Sequence, residues 1–543
     1  MEHSEDSQSA PGGDVQAAAG PARSQWLPAG LAIAAGAVLR VWMLNTSIFE
    51  VSGDPLVYGA IAKNMLLHSR YALTADGGIT HSTLIRLPGY PLFLALCFRL
   101  FGMENYFAAG CVQIVVELAG CLLLAAFACQ SAKRVRPQDG DFARWAGLAT
   151  LWLGALCPFT ASYAVRPLSE ALTMFAISLA MWAMGRFCDR PGWGSALAFT
   201  LAITGAALLR PDGALVAVAF APVVLLRLTR GEANFSAARR ARMAVICVVL
   251  ALAPFAAWGW RNWKVFHLFQ PLAPRSATDP DERTNPGFEA WAKTWSLDFV
   301  STAEIYWHMP DDPFDVNALP ERAFDSREQY DTTMALAHDY NDHGMKLTGT
   351  LDAAFARLAD ERTAAHPLRS YLWLPVGRLM DMWLRPRNEN LPVALDWWNY
   401  ARHRGETIFS WFYVALNAAF LLLALMGLYL RPRFWVPLLA YVFLRSCLLL
   451  TIGGPEARYT LECFPIIFVL GGIALAPLFS QTHPAPNVSS VTGMPTREKS
   501  QKLTRTSSRA RSTTIRLATD PVMVRLPARV LAIASTIQPV RGS

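Results

Sequence analysis

The chain has 543 residues, of which 53 % are hydrophobic and only 17 % are charged, against about 25 % charged residues in soluble globular domains. This composition excludes an ordinary soluble protein and indicates an integral membrane protein. The net charge of +8 equals the excess of ten basic over two acidic residues from Ser480 onward, so it reflects a basic tail rather than a nucleic-acid-binding surface.

Apolar segments along the chain predict about ten transmembrane helices, because a helix needs about 20 apolar residues to cross the hydrocarbon core. Residues 1–25 precede them as a short, disordered cytoplasmic leader without the basic start of a secretory signal. The run 194–228 is too long for one span, and its break at Arg210-Pro211-Asp212-Gly213 predicts a hairpin of two helices. The predicted spans are 26–45, 107–131, 145–163, 170–187, 194–209, 213–228, 243–260, 411–430, 434–451 and 463–479.

The Lys and Arg residues of the short loops predict the orientation, since basic loops stay on the cytoplasmic side. Clusters within 133–144, 230–242 and 431–433 share a side with the basic tail, so we expect both termini in the cytoplasm of a cell (inner) membrane protein. The expected parts are a transmembrane core at 26–260 with its first outer loop at 46–106, a large periplasmic or extracellular region at 261–410, C-terminal transmembrane helices at 411–479, and a basic, disordered cytoplasmic tail at 480–543.

The predicted fold class is an all-α multi-pass membrane protein with interfacial helices and a large, mostly helical outer region. Residues 91–101 are too few to cross the membrane and predict a helix at its interface. Glu117 and Arg445 lie inside predicted spans, and we expect them to pair because an unpaired charge there is costly. The tryptophans of the outer region form either an interfacial aromatic belt or part of a substrate site. They are Trp291, Trp295, Trp307, Trp373, Trp383, Trp397 and Trp398.

The first outer loop is the most informative stretch, with SGDPLVYGAIAKNML followed by THSTLIRLPGYPLFLAL. Asp54 precedes Pro55 and has the pattern of a helix N-cap, but it also lies at the predicted outer membrane surface, ahead of the polar segment 86–91. Four further motifs fall on the same predicted side. They are RPLSE at 166–170, LRPDG at 209–213, PFAAWGWRNWKVFHLF at 254–269 and EARY at 456–459.

The order of these motifs and their placement on one side of the membrane resemble the glycosyltransferase C superfamily. The resemblance is strongest to the branch of protein O-mannosyltransferases and lipid A aminoarabinose transferases, of the glycosyltransferase family 39 type. It implies an outward-facing cavity in which a sugar passes from a polyprenyl-phosphate donor to an acceptor, with inversion at the anomeric carbon. It further implies Asp54 as the general base.

A donor of this kind needs a groove between helices, arginines for its phosphate and a carboxylate near the anomeric carbon. The candidate substrate- and phosphate-binding residues are Arg86, Tyr58, Tyr90, Arg166, Glu170, Arg210, Arg458 and Tyr459. The alternative for three of the arginines is pairing with a local acid. Those pairs would be Arg166 with Glu170, Arg210 with Asp212, and Arg458 with Glu456.

No cofactor is certain from the sequence. Pro55 stands where family members often have a second acid, and the histidines (His68, His81, His308 and His343) show no metal-ligand spacing. We therefore predict no protein-bound metal, while a divalent cation that assists departure of the phosphate stays open. The expected partners are the polyprenyl-phosphate-sugar donor, membrane lipids and a glycan, lipid or protein acceptor, and not nucleic acid.

Two other functions fit parts of the pattern. A lipid-linked polysaccharide polymerase or ligase also has a large outer loop and outward arginines, but it does not need Asp54. A transporter or flippase would be expected to show an inverted repeat and helices broken at mid-membrane. The sequence shows no such repeat, and its polar motifs cluster at one predicted surface.

Overall fold

The computed structural model describes residues 23–46, 53–74, 78–230, 236–274, 278–280, 282, 284–309 and 312–480. Apart from one two-stranded hairpin, the regular secondary structure of the described residues is helical. Several of these helices are long and apolar enough to cross a membrane, so the protein is an all-α multi-pass membrane protein, as predicted. Residues 1–22 of the predicted leader and the predicted tail from 481 lie outside the described residues.

The helices of the first half, in chain order, are α1 (Arg23–Thr46), α2 (Asp54–His68), α3 (Gly89–Phe101), α4 (Tyr106–Ala132), α5 (Gly140–Leu156), α6 (Pro158–Ala164), α7 (Glu170–Asp189), α8 (Trp193–Leu209), α9 (Ala214–Thr229) and α10 (Ala237–Phe266). The second half contains α11 (Pro286–Lys293), α12 (Phe299–Ser301), α13 (Arg327–Asp342), α14 (Gly349–Ala365), α15 (Leu374–Leu384), α16 (Arg404–Tyr429), α17 (Trp435–Leu449) and α18 (Phe464–Leu475).

A short hairpin interrupts the first outer loop. Its strands β1 (Ala72–Thr74) and β2 (Thr80–Ser82) are antiparallel, with Leu73 opposite His81. Short segments of 3₁₀ or π helix occupy Pro211–Gly213, Thr302–Tyr306, Val316–Ala318, Glu321–Ala323, Arg369–Trp373, Ala457–Cys463 and Ala476–Leu478.

Seven helical stretches among the described residues are long and apolar enough to cross a membrane. They are Trp26–Thr46, Tyr106–Ala132, Glu170–Asp189, Pro211–Thr229, Ala237–Phe266, Arg404–Tyr429 and Ala457–Leu478. Two of the other predicted spans correspond to the shorter apolar helices α8 and α17. The third, 145–163, is divided between α5 and α6 because Pro158 cannot continue a helix. The break predicted at 210–213 is confirmed, since α8 ends at Leu209 and α9 begins at Ala214.

Helix α18 lies at the centre of the bundle, in contact with α4, α5 and α16, and eleven of its twelve residues are buried. Glycines allow the close packing that bilayer helices depend on. A β-carbon at Gly427 of α16 would lie only 1.9 Å from the carbonyl oxygen of Leu470. The turn Ala457–Cys463 leads directly into α18, so this central helix holds that turn in place.

The expected pairing of Glu117 with Arg445 is wrong. Glu117 instead accepts two hydrogen bonds from Arg40 of α1, at 2.6 and 2.7 Å. Arg445 forms ion pairs with Asp212 and Glu462. Both charges are therefore neutralised, but by partners other than the predicted ones. The packing of α1 beside α4 brings Arg40 to Glu117.

The predicted outer region, residues 261–410, has a hydrophobic core of its own, in which α11 packs against α14. Trp291 and Trp295 are each 1 % exposed and belong to this core, so neither alternative predicted for the tryptophans applies to them. Trp373 and Trp398 are 65 % and 54 % exposed, as residues of an interfacial aromatic belt would be.

Candidate active site

Several predicted site residues surround one cavity of about 420 Å³. Its walls come from the start of α2, the segment before α3, the turn before α7, the link between α8 and α9, and the turn before α18. The polar and aromatic side chains that line it are Asp54, Tyr58, Arg86, Ser169, Glu170, Arg210, Asp212, Trp307, Glu456, Arg458 and Tyr459.

Asp54 is the first residue of α2 and lies between two arginines. One carboxylate oxygen accepts a hydrogen bond from Arg86, and the other accepts one from Arg458 at 3.0 Å. The N-cap position belongs to Gly53, whose φ of 63° favours glycine. The predicted N-cap role of Asp54 is therefore wrong, because its carboxylate is directed towards the two guanidinium groups.

These arginines set the charge state of Asp54. Burial alone would raise the pKa of its carboxyl, but Arg86 and Arg458 outweigh burial and hold that pKa below the ordinary value. Asp54 is therefore ionised at neutral pH. It is a weak base as long as both guanidinium groups remain beside it.

A second charged group, centred on Arg210, lines another part of the cavity. Arg210 contacts Glu170 at 3.0 Å, Asp212 at 3.3 Å and Glu462 at 3.0 Å. Behind it, Arg445 pairs with Asp212 and Glu462 and is fully buried. Glu170 is 1 % exposed, and its Oε2 atom has no hydrogen-bond partner among the described residues. This group therefore presents an unused acceptor beside the cavity.

The turn before α18 connects the part of the lining around Asp54 with the part around Arg210. Arg458 contacts Glu456 through two nitrogens at 2.5 and 3.1 Å, and the Tyr459 hydroxyl donates to Glu456 at 2.6 Å. The guanidinium groups of Arg210 and Arg458 lie 5.8 and 5.4 Å from the Tyr459 ring centre. Burial raises the pKa of Glu456 despite its bonds to Arg458 and Tyr459.

Seven of the nine residues predicted for the site line this cavity: Asp54, Tyr58, Arg86, Glu170, Arg210, Arg458 and Tyr459. Tyr90 is fully buried outside the lining, where its hydroxyl donates to Gln113 at 2.7 Å. Its ring lies 4.9 Å from that of Tyr58, so Tyr90 supports a lining residue. Arg166 donates instead to the carbonyl oxygen of Asn390 at 3.1 Å.

The local ion pairs expected from the sequence are present in two of three cases. Arg210 contacts Asp212, and Arg458 contacts Glu456. The pairing of Arg166 with Glu170 is wrong because Glu170 turns towards Arg210. Since Arg210 and Arg458 each also reach a distant acid, these local pairs do not exclude a role in the site.

Four of the polar and aromatic lining residues were missing from the predicted site: Ser169, Asp212, Trp307 and Glu456. Ser169 belongs to the RPLSE motif but was not singled out. Asp212 and Glu456 belong to the LRPDG and EARY motifs, so their positions already pointed to this place, although the sequence analysis treated them only as partners of arginines. Trp307 was one of many tryptophans, and no local pattern distinguished it. Glu462, behind the lining, follows the EARY motif but borders an apolar run and gave no signal.

One group of side chains among the described residues has the composition of a metal site. Ligand atoms of His81, Asp279 and Glu282 lie within 4.8 Å of one another, and one histidine with two carboxylates suits Zn²⁺. Each carboxylate also accepts a backbone N–H, Asp279 from Leu84 at 2.8 Å and Glu282 from Asp279 at 3.0 Å. Sequence spacing could not reveal this group because His81 lies about 200 residues before Asp279 and Glu282.

No family model and no curated protein matches the sequence. Solved structures show distant likenesses of fold. An oligosaccharyltransferase from Archaeoglobus fulgidus, tethered to an acceptor peptide, is 11 % identical with a TM-score of 0.44, over 84 % of this chain and 50 % of that one. ArnT from Cupriavidus metallidurans bound to undecaprenyl phosphate is 16 % identical with a TM-score of 0.36, over 84 % of this chain and 78 % of that one.

The chain thus spans about half the length of the archaeal oligosaccharyltransferase. The structure of the archaeal oligosaccharyltransferase AglB from Archaeoglobus fulgidus, in complex with an inhibitory peptide and a dolichol-phosphate, is 12 % identical with a TM-score of 0.42, over 84 % of this chain and 50 % of that one.

Proposed function

We propose that the chain is a membrane glycosyltransferase that moves a sugar from a polyprenyl-phosphate donor to an acceptor hydroxyl on the outer side of the cell membrane. One observation carries the proposal: the carboxylate of Asp54 lies between two arginines in a cavity beside membrane helices. The acceptor is a glycan, a lipid or a protein.

The arginines are suited to hold the phosphate of the donor. A guanidinium group matches phosphate with two parallel hydrogen bonds and keeps its charge at every relevant pH. The lining carries four carboxylates and three guanidinium groups, so a phosphate that binds the arginines competes with the carboxylates for them. When the donor phosphate takes Arg86 from Asp54, the pKa of Asp54 rises, and the base becomes stronger once the donor is in place.

The reaction needs one base and no acid. Asp54 accepts the proton of the acceptor hydroxyl while the acceptor oxygen forms a bond to the anomeric carbon. The bond from that carbon to the phosphate oxygen breaks, and polyprenyl phosphate leaves with the electron pair. A single displacement inverts the anomeric configuration. A general base of this kind contributes about 10²–10⁴-fold to the rate.

The variant Asp54→Asn tests this role because asparagine keeps the shape of the side chain and cannot take the proton. We expect kcat, measured with a polyprenyl-phosphate sugar in detergent, to fall at least about a hundredfold. Asp325→Asn is the matched control, since Asp325 also pairs with two arginines, Arg362 and Arg369, but lies in the outer region. It should keep the kcat of the folded protein.

A fully active and folded Asp54→Asn variant would contradict the mechanism. That result would favour the lipid-linked polymerase or ligase, which does not need this carboxylate. Lipid analysis of a deletion strain would then identify the glycan that disappears and the donor that accumulates.

A further inference from the structure

We infer that Tyr71 and Arg261 are positioning residues that hold Arg86 in place to receive the donor phosphate. Neither residue lines the cavity. The inference rests on the proposed function, in which Arg86 binds that phosphate. It also gives a role to Trp258, Arg261 and Asn262, which belong to the motif at 254–269 near the end of α10. The cavity lining alone does not explain this motif.

The first contact joins Tyr71 to Arg86. The Tyr71 hydroxyl donates a hydrogen bond of 2.9 Å to the backbone carbonyl oxygen of Arg86. Arg86 lies between β2 and α3, outside any helix or strand, so no regular backbone hydrogen bonding fixes its main chain. On the cavity side, its guanidinium group contacts Asp54 and lies 5.6 Å from the Tyr58 ring centre. The Tyr71 hydroxyl therefore fixes the backbone from which this guanidinium group projects.

The second contact joins Arg261 to the same loop. Arg261 donates to the carbonyl oxygens of Tyr71 and Thr83, each at 2.7 Å. These two residues flank the β1–β2 hairpin, so one guanidinium group ties both ends of the hairpin to α10. Arg261 thereby fixes the chain on both sides of the hairpin and places the Tyr71 hydroxyl under Arg86.

Aromatic rings keep Arg261 in this position. Its guanidinium carbon lies 5.4 Å from the ring centre of Tyr71, 5.1 Å from Trp258 and 5.3 Å from Phe266. The Tyr71 and Trp258 rings also meet edge to face at 4.8 Å. Asn262 accepts a further bond from Arg261 at 2.9 Å. A planar guanidinium group suits this enclosure better than an ammonium group would.

Tyr71→Phe is the sharpest test because it removes only the hydroxyl and keeps the ring against Arg261 and Trp258. A hydrogen bond is worth about 0.5–1.5 kcal/mol, so we expect the KM for the polyprenyl-phosphate sugar to rise about two- to tenfold. The kcat should change by less than about twofold, since the bond orients a ground-state phosphate ligand.

Tyr340→Phe is the matched control. The Tyr340 hydroxyl donates to the carbonyl oxygen of Asp312 at 3.0 Å, in the core of the outer region. It removes the same type of bond from a buried tyrosine in another part of the chain. Both variants should unfold at similar temperatures, and only Tyr71→Phe should raise the donor KM.

A double-mutant cycle with Arg86→Ala distinguishes positioning from a general effect on structure. Arg86→Ala should raise the donor KM by itself. Tyr71→Phe added to Arg86→Ala should raise it no further, because the guanidinium group that it positions is gone. Full additivity would overturn the inference.

The remaining outcomes separate the two proposals. If Arg86→Ala raises the donor KM while Tyr71→Phe behaves like Tyr340→Phe, the positioning role is wrong and the phosphate role of Arg86 stands. If Arg86→Ala leaves the donor KM unchanged, the phosphate role itself is wrong, and the inference that depends on it falls too.

Discussion

Two groups of buried charges in the helix bundle are built differently. The Arg40–Glu117 pair is closed: Arg40 donates to both oxygens of Glu117, and its remaining bonds go to backbone carbonyls. The carbonyl oxygens are those of Gly36, Gly154 and Ala155, at 2.5 to 3.2 Å. Both side chains are nearly inaccessible to solvent. This arrangement has no capacity left for a ligand.

The charges around the cavity form an open group. Arg210 is shared among three acids, and Asp54 is shared between two arginines. Glu170 retains an oxygen without a partner among the described residues. A charged group with several partners can release one of them to a ligand at a lower cost in free energy than a group with a single partner. A buried charge by itself therefore does not mark a functional site, whereas shared and incomplete pairing around a cavity does.

The largest effect that would test this comparison is on stability. Removing one member of a closed buried pair leaves the other charged and unpaired, so Arg40→Met should lower the free energy of unfolding by about 3–5 kcal/mol. Thermal unfolding in detergent would measure the loss. The kcat and KM of the protein that does fold should stay unchanged. The double variant Arg40→Met/Glu117→Met should recover most of the stability, and a specific loss of kcat would place this pair in the functional group instead.

The next effect is on activity. Glu170→Gln removes the negative charge from the side chain whose unused oxygen lies in the cavity wall. A hydrogen bond to a charged group is worth about 1.5–3 kcal/mol. If a substrate donates a hydrogen bond to this oxygen, kcat/KM should fall at least about tenfold. Glu117→Gln is the matched control, because it makes the same change in the closed pair. It should lower the unfolding temperature and leave kcat/KM unchanged. Equal kinetic effects of the two variants would remove the distinction between the groups.

A smaller effect concerns the side chain type at Arg86. Arg86→Ala should weaken donor binding about tenfold, while Arg86→Lys should recover part of it, since lysine keeps the charge and loses the two parallel hydrogen bonds. Titration with polyprenyl phosphate would measure both affinities. If the wild type and Arg86→Ala bind polyprenyl phosphate with equal affinity, Arg86 does not bind the donor phosphate.

The smallest effect is on pH dependence. Asp54 has a pKa below its ordinary value because Arg86 and Arg458 outweigh the effect of burial, so it is ionised above that pKa and loses its function as a base only as the pH falls through it. Arg86→Ala should therefore move the acid limb of kcat/KM to higher pH. An acid limb that does not move would argue that Arg86 leaves the basicity of Asp54 unaffected. Arg99→Ala, a change in α3 outside the cavity lining, should leave the profile unchanged.

The sequence by itself determined the class of the protein and the segments that form the cavity. Hydropathy and proline positions are local properties, so the main helices and the break at 210–213 follow from short windows of sequence. The motifs that supply Asp54, Arg86, Glu170, Arg210 and Arg458 were recognised differently, from their order along the chain, their shared predicted side of the membrane and their resemblance to a known superfamily. The orientation in the membrane rests on loop charges and remains a prediction.

Only the tertiary structure decided which charges meet. Arg40, Glu117 and Arg445 all lie in apolar runs, and nothing local states which helices pack together. Their partners depend on side chains that lie at the same depth on helices far apart in sequence. The same reason explains why Glu170 meets Arg210 instead of Arg166, and why Tyr90 lies behind the cavity wall. A sequence can indicate that a charge in a membrane helix needs a partner, but the packing of the helices selects that partner.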